Sequence, residues 1–128
     1  MQASCYHTAQ RAALRTVAGF LVFVALDLLW FSVSAPLYAR VVTRTSVLRT
    51  PAAVVWLLLG FAVGVRRHDG YASAIVHGLF VGLVVYGVFN GTNMAILQNW
   101  PLEVALADTA WGCVVCSAVA AVLHRALP

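Results

Sequence analysis

The chain has 128 residues, 62% of them hydrophobic and 9% charged, with a mean hydropathy of +0.90. Soluble globular domains carry about 25% charged residues, so the composition excludes one and leaves room for about four membrane spans of roughly 20 residues with short connections. The net charge of +4 comes from eight arginines and no lysine; placed in loops and at helix ends, they read as topology signals and lipid-headgroup contacts, not as a nucleic-acid surface.

Residues 1–15 contain Arg11, Arg15, His7 and several hydroxyl side chains but no acid. This fits a cytoplasmic flank that anchors the first span under the positive-inside rule. The alternative is a targeting segment for the mitochondrial inner membrane. The first span is expected over about 16–37, with Asp27 and Trp30 near its middle and Tyr38 as an interfacial anchor. A basic loop follows, carrying Arg40, Arg44 and Arg49. Thr50-Pro51 reads as a helix start, with Thr as N-cap and Pro at the first helical position.

The second span, about 51–65, is short, at roughly 22 Å. It must sit upright, thin the bilayer or rely on its flanking arginines reaching outward. Arg66-Arg67-His68-Asp69-Gly70 forms a polar turn, and the third span is expected over about 71–97. That span carries Gly78-x-x-x-Gly82 and Gly87-x-x-x-Gly91, the spacing that lets helix backbones approach closely. Gln98-Asn99-Trp100-Pro101 is the tightest connection, so spans three and four must be antiparallel neighbours. The fourth span is expected over about 102–124, with Pro101 and Glu103 suited to its N-terminus. The expectation is therefore an all-α, four-transmembrane-helix bundle in up-down order, one integral membrane domain over 1–128 with both termini on one side.

The polar residues inside these spans are the chain's unusual chemistry. A carboxylate in hydrocarbon is costly unless partnered, which makes Asp27 and Asp108 site candidates. At about 1.5 Å per residue, Asp108 lies ~9 Å below the end of its span, and Asn93 and Asn90 lie ~6 and ~10 Å below the same end of theirs. Tyr86, Asn90 and Asn93 share a helix face; so do Asp27 with Trp30, and Asp108 with Trp111. The candidate binding set is thus Asp27, Trp30, Tyr86, Asn90, Thr92, Asn93, Asp108 and Trp111. The expected centre is Asp108, bonded to Asn93 or Asn90 and to an indole of Trp30 or Trp111. The competing structural reading is that these groups only glue helices together.

Asp27-Leu28-Leu29-Trp30, Asn90-Gly91-Thr92-Asn93, Trp100-Pro101 and Asp108-Thr109-Ala110-Trp111-Gly112 together resemble the domain-of-unknown-function 2177 family of small four-span membrane proteins, over nearly the whole chain. The resemblance implies the four-span architecture and no activity. The family usually has Asp where this chain has Asn90.

Cys113-x-x-Cys116 lacks a following His and sits in an apolar helix, so it reads as small-residue packing; Cys5, Cys113 and Cys116 form no disulfide framework. His77 faces nearly opposite Asn90 and reads as packing or interfacial, and His68 and His124 read as solvated or headgroup-facing. No cofactor, metal or catalytic motif is present. Three functions compete. The first is a carrier for a solute, proton or lipid, working as a homo-oligomer within the bilayer. The second is an accessory subunit of a larger membrane complex. The third is an intramembrane enzyme acting on lipid, ranked last because no nucleophile or metal set accompanies the carboxylates.

Overall fold

The computed structural model describes residues 2–41 and 49–127, with side chains over 8–41 and 50–127. Arg44 and the side chains of His7, Cys5 and Arg49 lie outside the described residues. Within them the chain is all helix: α1 (Gln2–Tyr38), α2 (Arg49–Gly64), α3 (Tyr71–Ile96) and α4 (Leu102–Ala126). From Thr8, α1 is long and apolar enough to cross a membrane, as are α3 and α4. The shorter α2, 16 residues or ~24 Å, is also apolar.

The order is up-down. Asp27 meets Trp56 while Arg15 meets Gly64, so α1 and α2 run antiparallel. Likewise Asn90 meets Asp108 while Ile75 meets Ser117, which sets α3 against α4. Contacts of Arg15 with Leu123 and of Asp27 with Trp111 make α1 antiparallel to α4. The start of α1 and the end of α4 therefore lie at one end of the bundle, here called the terminal end. The 97–101 turn lies at the far end.

Two helices begin ahead of the spans expected for them. Helix α1 begins at Gln2, not near Thr16, because nothing from Gln2 to Arg15 breaks a helix: the segment has no Gly or Pro. At 37 residues, ~55 Å, it exceeds the ~30 Å hydrocarbon layer, so its ends must project. Helix α2 already includes Arg49 and Thr50, which leaves Pro51 in the first turn, where its missing N–H costs nothing.

Small residues set the helix spacing. A Cβ on Gly60 would lie 2.7 Å from the backbone N of Phe20 and from the Thr16 carbonyl, so α1 and α2 touch backbone to backbone. One on Gly82 would come within 2.7 Å of the Cys113 Cα, and one on Gly78 equally close to Ser117 Cα. The Gly78–Gly82 pair does what its spacing predicts. The second pair does not: a Cβ on Gly91 would meet nothing within 4 Å. Cys116 is fully buried in a core with Phe23, Leu59, Val63, Val115, Val119 and Leu123, and both Cys113 and Cys116 are free thiols.

Arg15 departs from its expected role as a headgroup contact. It is 5% exposed. Its guanidinium donates to the Gly64 carbonyl at 2.8 Å, to Leu123 at 3.2 Å, to Leu127, and to Arg66 at 3.5 Å. The last carbonyls of a helix have no intrahelical donor and carry the negative end of its dipole. One α1 side chain thus caps the C-terminal ends of α2 and α4. On the adjoining turn, His68 Nδ1 bonds the Ser73 hydroxyl at 3.2 Å. His77 Nε2 donates to the Ala62 carbonyl at 3.2 Å and ties α3 to α2. His68 is half-buried, its ring 4.8 Å from that of His77, so neither is simply solvated. His124, also half-buried, lies 6.1 Å from the Tyr71 ring.

Candidate functional site

Above the apolar core, towards the far end, the polar residues form one connected network. Asp27, Trp30, Ser34 and Tyr38 recur at helical spacing and share the face of α1 that looks into the bundle. Asp27 is 5% exposed. Its two oxygens accept one indole N–H each, from Trp111 of α4 and Trp56 of α2, both at 2.7 Å. Asp108 accepts the Tyr38 hydroxyl at 2.6 Å on one oxygen and the Asn90 amide at 2.7 Å on the other. Each carboxyl group therefore ties three helices.

The remaining bonds join the two carboxylates into a chain. Trp30 Nε1 donates to the Tyr38 oxygen at 3.3 Å, and its ring stacks on Trp111 with centroids 4.8 Å apart and planes at 6°. Asn90 is 2% exposed. Its amide also donates to its own helix at Tyr86 (2.9 Å) and to the Thr109 hydroxyl (3.4 Å), while its carbonyl accepts Trp100 Nε1 at 3.1 Å. The path runs from Trp100 in the far-end turn through Asn90, Asp108, Tyr38 and the Trp30–Trp111 stack to Asp27 and Trp56.

Every group facing the carboxyl oxygens is a donor. An indole or amide N–H can only donate, and the Tyr38 hydroxyl donates to Asp108 while accepting from Trp30. Among the described residues the one ion pair is Arg40–Glu103 at 3.5 Å on the surface, so the two aspartates are met by hydrogen-bond dipoles and not by cations. All four carboxyl oxygens thus serve as acceptors in the network.

Of the residues singled out from the sequence, Asp27, Trp30, Asn90, Asp108 and Trp111 come together. Tyr86 joins through its backbone, its ring lying against Gly112. Thr92 does not join; it is exposed. Asn93 does not reach Asp108, and its backbone carbonyl instead closes the end of α3 on Leu97 at 2.8 Å. The register that sets Gly82 on Gly112 and Asn90 on Asp108 carries Asn93 one turn past the carboxylate. Nor does an indole reach Asp108: Trp111 crosses to Asp27, which the antiparallel α1 presents at its level.

Tyr38, Trp56 and Trp100 are network residues that the sequence reading missed. Tyr38 was legible as the next member of the Asp27–Trp30–Ser34 face. A Trp inside an apolar span needs an N–H partner, the one signal Trp56 gave. Trp100 gave none.

The model of the family described as predicted membrane protein (DUF2177) matches residues 12–124, and the chain belongs to that family. No curated protein and no solved structure matches the chain.

Proposed function

We propose that this member of the DUF2177 family is a small carrier that binds a small cation beside Asp27 and Asp108, or a proton at Asp108. The observation that carries the reading is the donor pattern: two carboxylates inside one bundle, each with both oxygens facing donors and neither with a cationic partner among the described residues. A buried charge held only by dipoles is best completed by a mobile positive charge. Tyr38, Asn90 and the stacked indoles position the carboxylates, and the indole faces suit a cation beside them. Four helices enclose little volume, so transport calls for a homo-oligomer; the open face of α3 at Gly91 offers a close-contact surface for it.

The accessory-subunit reading has its own support, since each aspartate cross-links three helices as a register pin would. Purified protein in liposomes with a trapped pH indicator separates the two. A carrier gives a pH change when a sodium or potassium gradient is imposed, and folded Asp108→Asn protein loses it. Wild-type liposomes that stay silent under every gradient and an imposed pH step would sink the carrier reading.

A further inference from the structure

The far ends of α1 and α4 enclose a second feature that the network does not use. A cavity of about 420 Å³ is lined by Val33, Pro36, Leu37 and Arg40 of α1 and its exit, and by Pro101, Glu103 and Val104 at the start of α4. We propose that it seats the headgroup of a zwitterionic phospholipid with a primary amine, its phosphate on Arg40 and its ammonium on Glu103.

Position argues for a lipid. The cavity opens beside Tyr38 and the 97–101 turn, at the level where aromatic and charged residues meet headgroups. Its walls run directly into lipid-facing surface: Val33 is 69% exposed, with Leu29 and Leu106 one turn deeper on either helix at 61% and 62%. Those residues offer acyl chains a continuous apolar track below the headgroup.

Charge argues for a zwitterion. Arg40 and Glu103 stand 3.5 Å apart at the rim with side chains 78% and 66% exposed, so the pair is weak and easily opened. A singly anionic headgroup would satisfy Arg40 but meet Glu103, and a cation would do the reverse. A phosphate–ammonium headgroup inserts between them and satisfies both. Helix α4 supports the phosphate end: Pro101 at its N-cap makes no side-chain capping bond, which leaves first-turn N–H groups for an anion.

Hydrogen-bond capacity argues for a primary amine over a quaternary one. The Glu103 carboxylate supplies an acceptor that an ammonium with three N–H bonds can use and a choline cannot. The assignment is independent of the cation reading of Asp27 and Asp108.

Native mass spectrometry of the full-length protein, exchanged against equal amounts of phosphatidylethanolamine, phosphatidylcholine and phosphatidylglycerol, tests it. Phosphatidylethanolamine should be retained above both others. Glu103→Gln should lower its preference over phosphatidylglycerol by about threefold to fivefold, the range of an exposed charge contact. Arg40→Gln should weaken both phospholipids, and Arg66→Gln at the terminal end should change neither. Both cavity side chains are mostly exposed, so these variants fold. Equal retention of the three lipids, a preference for phosphatidylglycerol, or unaltered selectivity in Glu103→Gln overturns the proposal. Free phosphoethanolamine in excess should leave the retained lipid in place; its displacement would assign the cavity to a soluble zwitterion instead.

Discussion

Trp30 and Trp111 lie face to face, 4.8 Å apart and 6° from parallel, between the buried Asp27 and the half-buried Asp108. Each indole turns its N–H away from the stack, Trp30 towards Tyr38 and Trp111 towards Asp27. The stack therefore joins α1 to α4 by dispersion while its two edges orient the carboxylate partners. Packing and polar satisfaction are coupled at one point, so small changes in donor identity should be felt as stability.

Asparagine is not an equal substitute at the two aspartates. At Asp27 both oxygens face indoles, which cannot accept, so the new amide group of Asp27→Asn confronts a donor whichever way it points. At Asp108 the Tyr38 hydroxyl can rotate to accept the amide of Asp108→Asn. Asp27→Asn should therefore destabilise more, by about 1–3 kcal/mol for the unmet donor. Thermal unfolding of the two variants in one detergent checks the order; equal losses would mean the indoles do not govern the site.

The close approach of α3 and α4 predicts an asymmetry between two glycines of the same helix. Gly82→Leu must push α4 away, because the Gly112 carbonyl and the Cys113 Cα occupy the space of its Cβ. It should cost several kcal/mol and shift Asn90 away from Asp108. Gly91→Leu meets nothing within 4 Å and should leave monomer stability unchanged. A loss of oligomer in Gly91→Leu with the melting temperature intact would mark that face as a contact between copies.

The helices and most of the network were legible because polar residues stand out in apolar runs and Pro and Gly punctuate them. Asp27, Asn90, Asp108 and Trp111 could be found for that reason. Which indole meets which carboxylate could not, because it depends on interhelical register, and register follows from backbone contacts at Gly60, Gly78 and Gly82. Trp100 looks the same in sequence whether its indole faces headgroups or the Asn90 carbonyl, and only its spacing from Asp27, Trp30 and Ser34 sets Tyr38 apart from an interfacial anchor. Arg15 was obscured differently: an arginine near the terminal end satisfies the positive-inside pattern, and nothing local distinguishes a buried cap from an exposed anchor.

The terminal end should carry an acid sensitivity of its own. Burial, followed by the nearby His77, Arg66, Arg15 and His124, holds the His68 pKa below its ordinary value of 6.5. The unfolded chain then takes up a proton that the folded chain resists as pH falls through 6.5, so stability is full above that value and declines below it. His68→Gln removes the titration and should flatten this acid limb in melts collected across the range. A steeper limb in the variant would assign the sensitivity elsewhere.

Arg15 offers the sharpest separation of charge from shape. Its guanidinium reaches the Gly64, Arg66, Leu123 and Leu127 carbonyls together, which requires a planar fork with several N–H groups. Lysine keeps the charge and the dipole attraction but presents one compact ammonium, which cannot cap two helices from one position. Arg15→Lys should lose about 1–3 kcal/mol, the cost of buried acceptors left without donors. Arg15→Leu, which also loses the favourable charge at both helix ends, should lose more. The distinguishing measurement is amide hydrogen exchange. Both variants should expose the last turns of α2 and α4 selectively, while the far-end network around Asp108 stays protected. Uniform loss of protection along all four helices would show that Arg15 supports the whole bundle and not the two helix ends it touches.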